Sequence, residues 1–440
     1  GNSVGREQQN QGNEGLDDTH SNGIAVVRLS NAQLIRPQVE HHQFVGHHGI
    51  VEHKVVVEAA GQNVRDAQQE QHEEGILQSR KGHMPNLLEA VHYCALGRSH
   101  RTTQDKEVIA RDQNMAACGV TLEKRDGTHD IAIKLLASGE KRKQVFIDGK
   151  RAPRLAQMMG MLQCVIFSPE DLDLVKGGPS VRRRFLDMLL SQLSTSYFTA
   201  LQSYQQALNQ RNSLLRSMKF SDSRKNFDTL ELWEDAMARA AAVILPARAD
   251  CCQRLAVEAG KRYQSISGRE EENFTLTYLP CIRESEHVRE QMMQQLSQHR
   301  EEDLRRGTST FGIHREDIGL TIRGKDMRLF ASQGQIRTAA LAMKLSELSV
   351  FQDLAGEPPV LLLDDVMSEL DLTRRTRLLD EIRGVQTIIT CTDESDLAQR
   401  EKYYPLHVSM NEQGFAQVEA CELAERKERM EALNDDFLNE

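Results

Sequence analysis

The stretch "VLLLDDVMSELD" at residues 360–371 places two adjacent carboxylates directly after an apolar run. Val360 to Leu363 are typical of a strand that is buried on both faces, as in a parallel sheet covered by helices. Ligands of such sheets bind beyond the carboxyl ends of the strands, so Asp364 and Asp365 are predicted to face a ligand. One carboxylate could hold Mg²⁺, and its neighbour could orient a water for attack on a phosphate. The alternative is an acidic turn that only closes a core strand.

A second motif, "SQGQ" at residues 332–335, precedes that strand. Ser332 is a natural helix N-cap, and leucines at 341, 345 and 348 then recur at helical spacing. Gln333 and Gly334 therefore lie at a helix N-terminus, where free N–H groups and the helix dipole favour a phosphate and glycine allows close approach. A helix start that can bind an anion, followed by a strand that ends in Asp-Asp, favours nucleotide chemistry over an acidic turn with a purely structural role.

Four blocks of the chain together resemble a known family. They are "GIHREDIGLTIRGKDMRLFASQGQIRT", "VLLLDDVMSELD", "NLLEAVHYCALGRSHRT" at 86–102 and "VIFSPEDLDLVKGGPSVRRRFLD" at 165–187. From about residue 86 to 405 the chain resembles the RecF family, recombination mediators among the ABC-type ATPases related to SMC proteins. The resemblance implies an α/β fold, an ABC-ATPase-like P-loop NTPase head with an inserted helical arm.

The resemblance also implies roles for particular residues. Ser332, Gln333, Gly334 and Gln335 would be the signature motif, which caps the γ-phosphate of an ATP held by the other protomer. Asp364 would be the Walker B ligand of Mg²⁺, and Asp365 would polarise the attacking water. Ser368 to Asp371 would form the D-loop at the dimer interface. The implied function is ATP-dependent binding of DNA at single-strand gaps by a homodimer, together with RecR, in support of RecA loading during repair and replication restart.

The chain departs from the family at the phosphate loop. The family pattern G-x-x-x-x-G-K-[ST] should precede "NLLEA", but the chain reads "QSRKGHMPNLLEA". Met84 stands where the lysine belongs and Pro85 where the Ser or Thr belongs, and proline has no N–H for a phosphate. The sequence therefore predicts weak binding of Mg-ATP and leaves enzymatic activity open. The alternative function is a DNA-binding or scaffold protein without ATPase activity. An SMC-like structural ATPase is disfavoured, because the helical insert is too short for a long coiled coil.

Residues 1–84 have a polar, biased composition, with eight of the fifteen histidines. "VVRLS" and "KVVVEAA" are the two strand candidates there. The sequence thus predicts a disordered or aberrant segment in place of the first strands and the phosphate loop. Either this stretch is read out of frame or lies upstream of the coding start, or it has diverged into a tail. If the stretch has diverged into a tail, the pairs His41-His42 and His47-His48 are candidate metal ligands.

The middle of the chain has helical periodicity. Leu193, Tyr197, Leu201, Tyr204 and Leu208 form a coiled-coil-like seam, which a polar segment interrupts. The periodicity resumes at Trp233 and continues beyond Pro246, a predicted kink. The periodicity predicts two antiparallel helices. They form either an arm, which the resemblance favours, or an ordinary helical subdomain. The predicted division is head at 85–184, arm at 185–302, head again at 303–410, and a C-terminal strand with an acidic tail at 411–440.

Two basic clusters are candidates for DNA contact: Arg98, His100 and Arg101 in one, and Arg182, Arg183 and Arg184 in the other. Such contacts to phosphates would give affinity without reading sequence. Alternatively, the two blocks serve the nucleotide site or the dimer interface, or are solvated surface.

Composition limits the remaining possibilities. The formal net charge is −10, so binding to nucleic acid must use local patches. Eight cysteines without C-x-x-C spacing disfavour a zinc site or a disulfide framework and predict a reducing cytoplasm. No apolar run approaches the ~20 residues that span a bilayer, so no membrane partner is predicted.

Overall fold

The computed structural model describes residues 26–28, 54–58, 85–102, 104–109, 113–124, 126–139, 142–218, 227–283, 286–391, 406–410 and 416–420. The histidine pairs at 41–42 and 47–48, the residues that replace the phosphate loop before Pro85, and the acidic tail lie outside these ranges. Both strand candidates near the N-terminus are confirmed, as β1 (Val26–Arg28) and β2 (Lys54–Glu58). They lie within residues 1–84, where the sequence predicts a disordered or aberrant segment.

The largest sheet has six strands in the order β1-β2-β3-β4-β5-β6. Only its first pair is parallel; every later pair is antiparallel. Its remaining strands are β3 (Met115–Lys124), β4 (Gly127–Leu136), β5 (Lys143–Ile147) and β6 (Lys150–Ala152). Strand β3 alternates half-buried and buried positions, which is the pattern of a sheet with one face on a core. The helix α1 (Pro85–Leu96) packs against that face.

A separate sheet of three parallel strands carries the predicted Asp-Asp end. Its order is β12 (Thr387–Thr390), β11 (Val360–Asp364), β7 (Cys164–Phe167). Strand β11 is buried along its whole length because the sheet lies between two cores. Leu362 faces the core that contains α1, whereas Leu361 and Leu363 face the larger core on the other side. The prediction of a strand buried on both faces is confirmed.

The helical part follows β7. Its helices are α2 (Asp173–Lys176), α3 (Pro179–Leu193), α4 (Thr195–Met218), α5 (Phe227–Ser267), α6 (Val288–Gln298) and α7 (Arg300–Arg306). Helices α4 and α5 pack on each other and are joined by residues 219–226, so they run antiparallel as predicted. Pro246 lies within α5, and the helix continues through it.

A third sheet returns the chain to the head. It comprises β8 (Phe274–Leu279), β9 (Asp317–Ile322) and β10 (Lys325–Asp326), all antiparallel. Then come α8 (Met327–Phe330), α9 (Gln333–Ala355) and α10 (Leu372–Glu381), and the hairpin of β13 (Leu406–Met410) with β14 (Ala416–Ala420). Helix α5 packs against α9 and β8, so one core is continuous through the helical pair and the head.

A buried ionic cluster, which we call the helical cluster, ties α4 to α5 and α7. Arg211 donates to Glu234 at 2.8 Å, to Asp303 at 2.7 Å and to the hydroxyl of Ser309 at 2.7 Å. These four side chains are fully buried, and Arg300 also pairs with Glu234. Because each charge has a partner of opposite sign, the cluster holds three helices together without an unpaired buried charge.

Candidate functional site

Asp364 ends β11 as a nearly buried carboxylate, 7% exposed. The neighbouring strand β12 ends beside it at Thr390, whose hydroxyl donates to Asp364 Oδ1 over 3.1 Å. The same hydroxyl oxygen accepts the backbone N–H of Asp365 at 3.0 Å. Asp365 has a φ of 51°, a left-handed conformation that turns the chain sharply out of the strand. Its side chain is exposed, so Asp364 is fixed in place while Asp365 faces solvent.

The loop after α1 supplies the cation for Asp364. Arg101 Nη2 donates to Asp364 Oδ2 over 3.1 Å. Ser99 fixes this loop, because its hydroxyl oxygen accepts the N–H groups of Arg101 and Thr102 at 3.0 and 3.1 Å. We call Arg101, His100, Asp364 and Thr390 the strand-end cluster. Sequence reasoning predicted Arg101 as a DNA contact, or alternatively as part of the nucleotide site or the dimer interface, and these stay predictions.

Two histidines beside this loop remain neutral. His92 is fully buried and its Nδ1 lies 3.1 Å from the carbonyl oxygen of Arg98, while its ring meets His100 edge to face at 5.4 Å. Burial lowers the pKa of His92 well below its usual value, and burial together with the charge of Arg101 lowers the pKa of His100 to about 4. His92 Nε2 and His100 Nδ1 are buried without a hydrogen-bond partner among the described residues.

The predicted signature motif, Ser332 to Gln335, begins α9, so the predicted helix start is confirmed. Ser332 is the N-cap: its hydroxyl accepts the N–H of Gln335 at 3.3 Å, and its own N–H donates to the Gln335 side chain at 2.8 Å. This reciprocal capping box fixes the first helical turn. Ser332 and Gln333 are exposed, and Lys176 donates to the Gln333 side chain at 2.9 Å.

Sequence reasoning missed Glu272, which anchors the motif to the end of α5. Gln335 Nε2 donates to Glu272 Oε1 over 3.0 Å, and the hydroxyl of Tyr263 donates to Glu272 Oε2 over 2.5 Å. Thr390 was missed as well. Its only sequence signal is a threonine at the end of the short apolar stretch "TIIT", a pattern too common to single it out.

The predicted D-loop residues follow Asp365 in a tight turn. Ser368 Oγ donates to the carbonyl oxygen of Asp365 over 2.9 Å. Asp371 is the N-cap of α10 and accepts the N–H of Arg374 at 2.9 Å, which lowers the pKa of its carboxyl group. Arg374 also lies beside Gly334, where an added Cβ would be 3.4 Å from its Nη2. The turn therefore connects the strand-end cluster to the signature motif.

The donor set at Asp364 fits a metal that arrives with phosphate. Mg²⁺ is bound in proteins by one or two carboxylates, with waters and phosphate oxygens completing its shell. Asp364 is one such carboxylate at the end of a parallel strand. Within the described ranges no group of three His, Cys, Asp or Glu side chains is placed to hold a metal ion.

Comparisons with known proteins agree with this geometry. The chain is 42% identical over 318 residues to the DNA replication and repair protein RecF of Shouchella clausii. The aligned region covers 71% of this chain and 84% of that protein. It is 40% identical over 323 residues to RecF of Symbiobacterium thermophilum, covering 72% and 84%. The chain belongs to the RecF family. The predicted family is thereby confirmed, although no protein-family model matches the chain.

Solved structures of RecF confirm the predicted fold class, an α/β ABC-ATPase-like head. The recombination mediator RecF bound to ATP, in the RecFOR pathway, superposes with a TM-score of 0.68 at 33% identity, covering 76% of this chain and 88% of that one. A second RecF structure, described as a RecF-ATPrS complex, gives 0.67 at 34% identity with the same coverage. In the part of this RecF chain that is described, no helix is long and apolar enough to cross a membrane.

In the second basic cluster, Arg182 is buried while Arg183 and Arg184 are half-buried. Arg182 is 1% exposed, makes two bonds of 2.7 and 3.0 Å to Asp317, and donates to the carbonyl oxygen of Gly177 at 2.8 Å. It therefore joins α3 to β9, and this burial removes Arg182 from the set that we propose for DNA contact. Arg183 donates to the carbonyl oxygen of Glu316 at 2.5 Å.

Arg184 donates to the carbonyl oxygen of Ser99 over 3.3 Å, so it supports the loop that carries Arg101. Arg98, on the same loop, is exposed. The two clusters that the sequence separates by about eighty residues thus meet at one place. Arg98 stays a predicted DNA contact.

Proposed function

We propose that this protein is a RecF recombination mediator that binds DNA at single-strand gaps as an ATP-dependent homodimer. The observation that carries the proposal is the pairing of an N-capped "SQGQ" helix start with Asp364 and Asp365 at the end of a buried parallel strand. Its partners would be DNA, RecR and the RecA pathway proteins. Because those partners act on chromosomal DNA, the proposed location is the cytoplasm.

The site residues have distinct roles in this proposal. Ser332, Gln333, Gly334 and Gln335 contact the γ-phosphate of ATP held by the partner protomer, where the helix start offers free N–H groups. Asp364 ligates Mg²⁺, which when bound neutralises charge on the phosphates. Asp365 orients the attacking water, and Ser368 and Asp371 line the interface. Nucleotide binding then acts as a switch for DNA residence.

Exposed apolar side chains support an interface beside these motifs. Leu329 and Phe330 stand just before the signature motif and are 75% and 64% exposed, and Leu372 just after Asp371 is 65% exposed. Large apolar side chains grouped on a surface are typical of a protein contact. A second copy of the chain, brought in by ATP, would cover them.

A second candidate function follows from Met84 and Pro85. A chain without the phosphate-loop lysine and hydroxyl loses several charge-assisted contacts, each worth roughly 1.5 to 3 kcal/mol. In this alternative the protein binds DNA or acts as a scaffold without ATPase activity.

The test compares the chain with a version carrying Gln78→Gly, His83→Gly, Met84→Lys and Pro85→Thr, which restores G-x-x-x-x-G-K-T. Mg-ATP binding is measured by calorimetry, dimerisation by light scattering, and affinity for gapped and intact duplex DNA by anisotropy. The mediator proposal expects ATP-dependent dimerisation and a preference for the gap in the chain as it stands. If only the restored version binds ATP, the scaffold alternative holds. If neither version prefers the gap, the mediator proposal is contradicted.

A matched control is Asp364→Ala in the same two versions. The switch expects this change to abolish the effect of ATP on DNA binding. An unchanged ATP effect would argue against the role of Asp364.

A further inference from the structure

Gln335, the last residue of the predicted signature motif, uses both ends of its side-chain amide. Its Oε1 accepts the N–H of Ser332 over 2.8 Å, and its Nε2 donates to Glu272 Oε1 over 3.0 Å. An amide has an acceptor at one end and donors at the other, so one orientation alone satisfies both partners. Turned over, it would place its donors against the N–H of Ser332, and half of the capping box would be lost. The orientation of Gln335 therefore depends on an acceptor at the position of Glu272.

Glu272 is a firmly held acceptor. It lies in the short turn between α5 and β8 and is 2% exposed. The hydroxyl of Tyr263 donates to its Oε2 over 2.5 Å, and Arg269 Nη1 donates to its Oε1 over 3.1 Å. Tyr263 belongs to α5, is fully buried and stacks on Phe274 of β8, with 5.1 Å between the ring centroids. One carboxylate oxygen is thus held by the core, and the other is turned to Gln335.

A carboxylate suits this position better than a neutral polar group. An ionised carboxylate has acceptors only, so no rotation of Glu272 can present a donor to Gln335. A charged acceptor also makes the stronger hydrogen bond. Ser332 and Gln333 are exposed at the helix start, where a phosphate would meet the free N–H groups. Glu272 therefore fixes the arrangement of these groups from the buried side.

We propose that Glu272 is a positioning residue for the signature motif: it holds the Gln335 amide in the orientation that keeps the start of α9 ordered for the γ-phosphate of an ATP bound by the partner protomer. This rests on the proposed function, to which the phosphate contact belongs. Glu272 acts through Gln335 and does not touch the nucleotide. The geometry of the motif consequently depends on where α5 and β8 hold one carboxylate.

The test compares Glu272→Met with Glu272→Gln, in the chain as it stands and in the version with the restored phosphate loop. Hydrogen exchange at residues 332–336 is followed by mass spectrometry without nucleotide, and the dissociation constant of the ATP-dependent dimer by light scattering. Methionine fills the same space without a comparable acceptor. Glu272→Met is expected to speed this exchange and weaken the dimer, each by about tenfold, the effect of losing one hydrogen bond to a charged group. Glu272→Gln keeps an acceptor oxygen and is expected to stay within about threefold of the parent chain.

Unchanged exchange and an unchanged dimer in Glu272→Met would overturn the proposal. So would an equal loss in Glu272→Gln, since that variant can still bind Gln335. If Glu272→Met does not fold, Gln335→Met breaks the same bond from the half-buried side. Unchanged exchange in Gln335→Met would overturn the proposal in the same way.

The matched control is Tyr278→Phe, at the other end of β8. It removes a hydroxyl–carboxylate bond of 2.6 Å to Glu316 Oε2, so it weakens the fold at a distance from the motif. Exchange at residues 332–336 and the dimer should stay within about twofold of the parent chain, because distant sites act independently. A change as large as that in Glu272→Met would assign the effect to lost stability and overturn the proposal.

A double variant tests the route of action. Because Glu272 acts through Gln335, Glu272→Met in a Gln335→Ala background is expected to weaken the dimer by less than about twofold further. An undiminished effect there would show that Glu272 acts by another route and would overturn the proposal.

The exchange measurement uses neither ATP nor DNA. The inference therefore fails alone if exchange and the dimer are unchanged in Glu272→Met while the parent chain dimerises with ATP. The proposed function fails alone if exchange responds as expected while neither version of the chain dimerises with ATP.

Discussion

The helical cluster and the strand-end cluster are both built from arginines and carboxylates, but they differ in how completely they are closed. Arg211 has two carboxylate partners and a hydroxyl, and all of these groups are fully buried. The Arg101 side chain is 29% exposed and has one contact to Asp364. A closed cluster can only hold structure together. The open one leaves its arginine in contact with solvent.

The largest expected effect is that of opening the closed cluster. Arg211→Met leaves Asp303 buried without its arginine and should lower the free energy of unfolding by about 3 to 5 kcal/mol. Arg101→Met should cost about 1 to 2 kcal/mol, because Asp364 keeps the Thr390 hydroxyl and access to water. Urea unfolding followed by circular dichroism measures both. Equal costs for the two variants would remove the distinction between the clusters.

Lowering the pH should lower the free energy of unfolding, because His314 then becomes protonated. Its pKa is lowered to about 4, mainly by burial, so the unfolded chain binds a proton there more readily between about pH 6.5 and 4. Stability contributed by neutral His314 is therefore lost as pH falls through that window, by about 3 kcal/mol. His314→Asn should flatten the dependence of unfolding free energy on pH there. The hydrogen bond with Asp148 raises the pKa of His129, which therefore titrates above that window, so His129→Asn serves as the control.

Removing the cap of the signature helix should have a smaller effect. Ser332→Ala deletes the hydroxyl that accepts the N–H of Gln335 and should destabilise the protein by about 1 kcal/mol. Ser332→Asp, another good cap, should restore stability in thermal unfolding. It should not restore ATP-dependent dimerisation, because its charge opposes the phosphate. Recovery of both properties would contradict the proposed phosphate contact.

The smallest effect is expected on the outer surface of α5. Arg239 pairs with Asp235 at 2.6 Å while 58% exposed. Arg239→Ala should change the free energy of unfolding by less than about 0.5 kcal/mol, because an exposed i,i+4 pair is screened by solvent. A cost near that of Arg211→Met would show that burial does not govern these pairs.

The sequence predicts those parts of the fold that depend on local pattern. The apolar run at Val360, the cap at Ser332 and the helical periodicity past Pro246 each lead to the observed element, because period and capping act over a few residues. The predicted site residues at 332–335 and 364–371 accordingly lie where a strand ends and a helix begins.

Partners across the fold could not be predicted in this way. Arg101 and Asp364 are 263 residues apart in sequence, and Arg182 and Asp317 are 135 apart. A run of three arginines indicates a basic surface, yet α3 turns Arg182 into the core because its position in the helical period faces β9. Long-range pairing of charges depends on tertiary packing, which no local spacing encodes.

The parallel pairing of β7 with β11 has a consequence for the order of folding. Cys164 lies opposite Val360, so the central sheet joins segments separated by the whole helical part. Contacts so distant in sequence form late, because a long loop must close first, whereas neighbouring helices such as α4 and α5 can pair early. We expect the helical pair to acquire native hydrogen-exchange protection before the strand that carries Asp364. During synthesis, the sheet edge that carries Asp364 would then be among the last parts of the molecule to form.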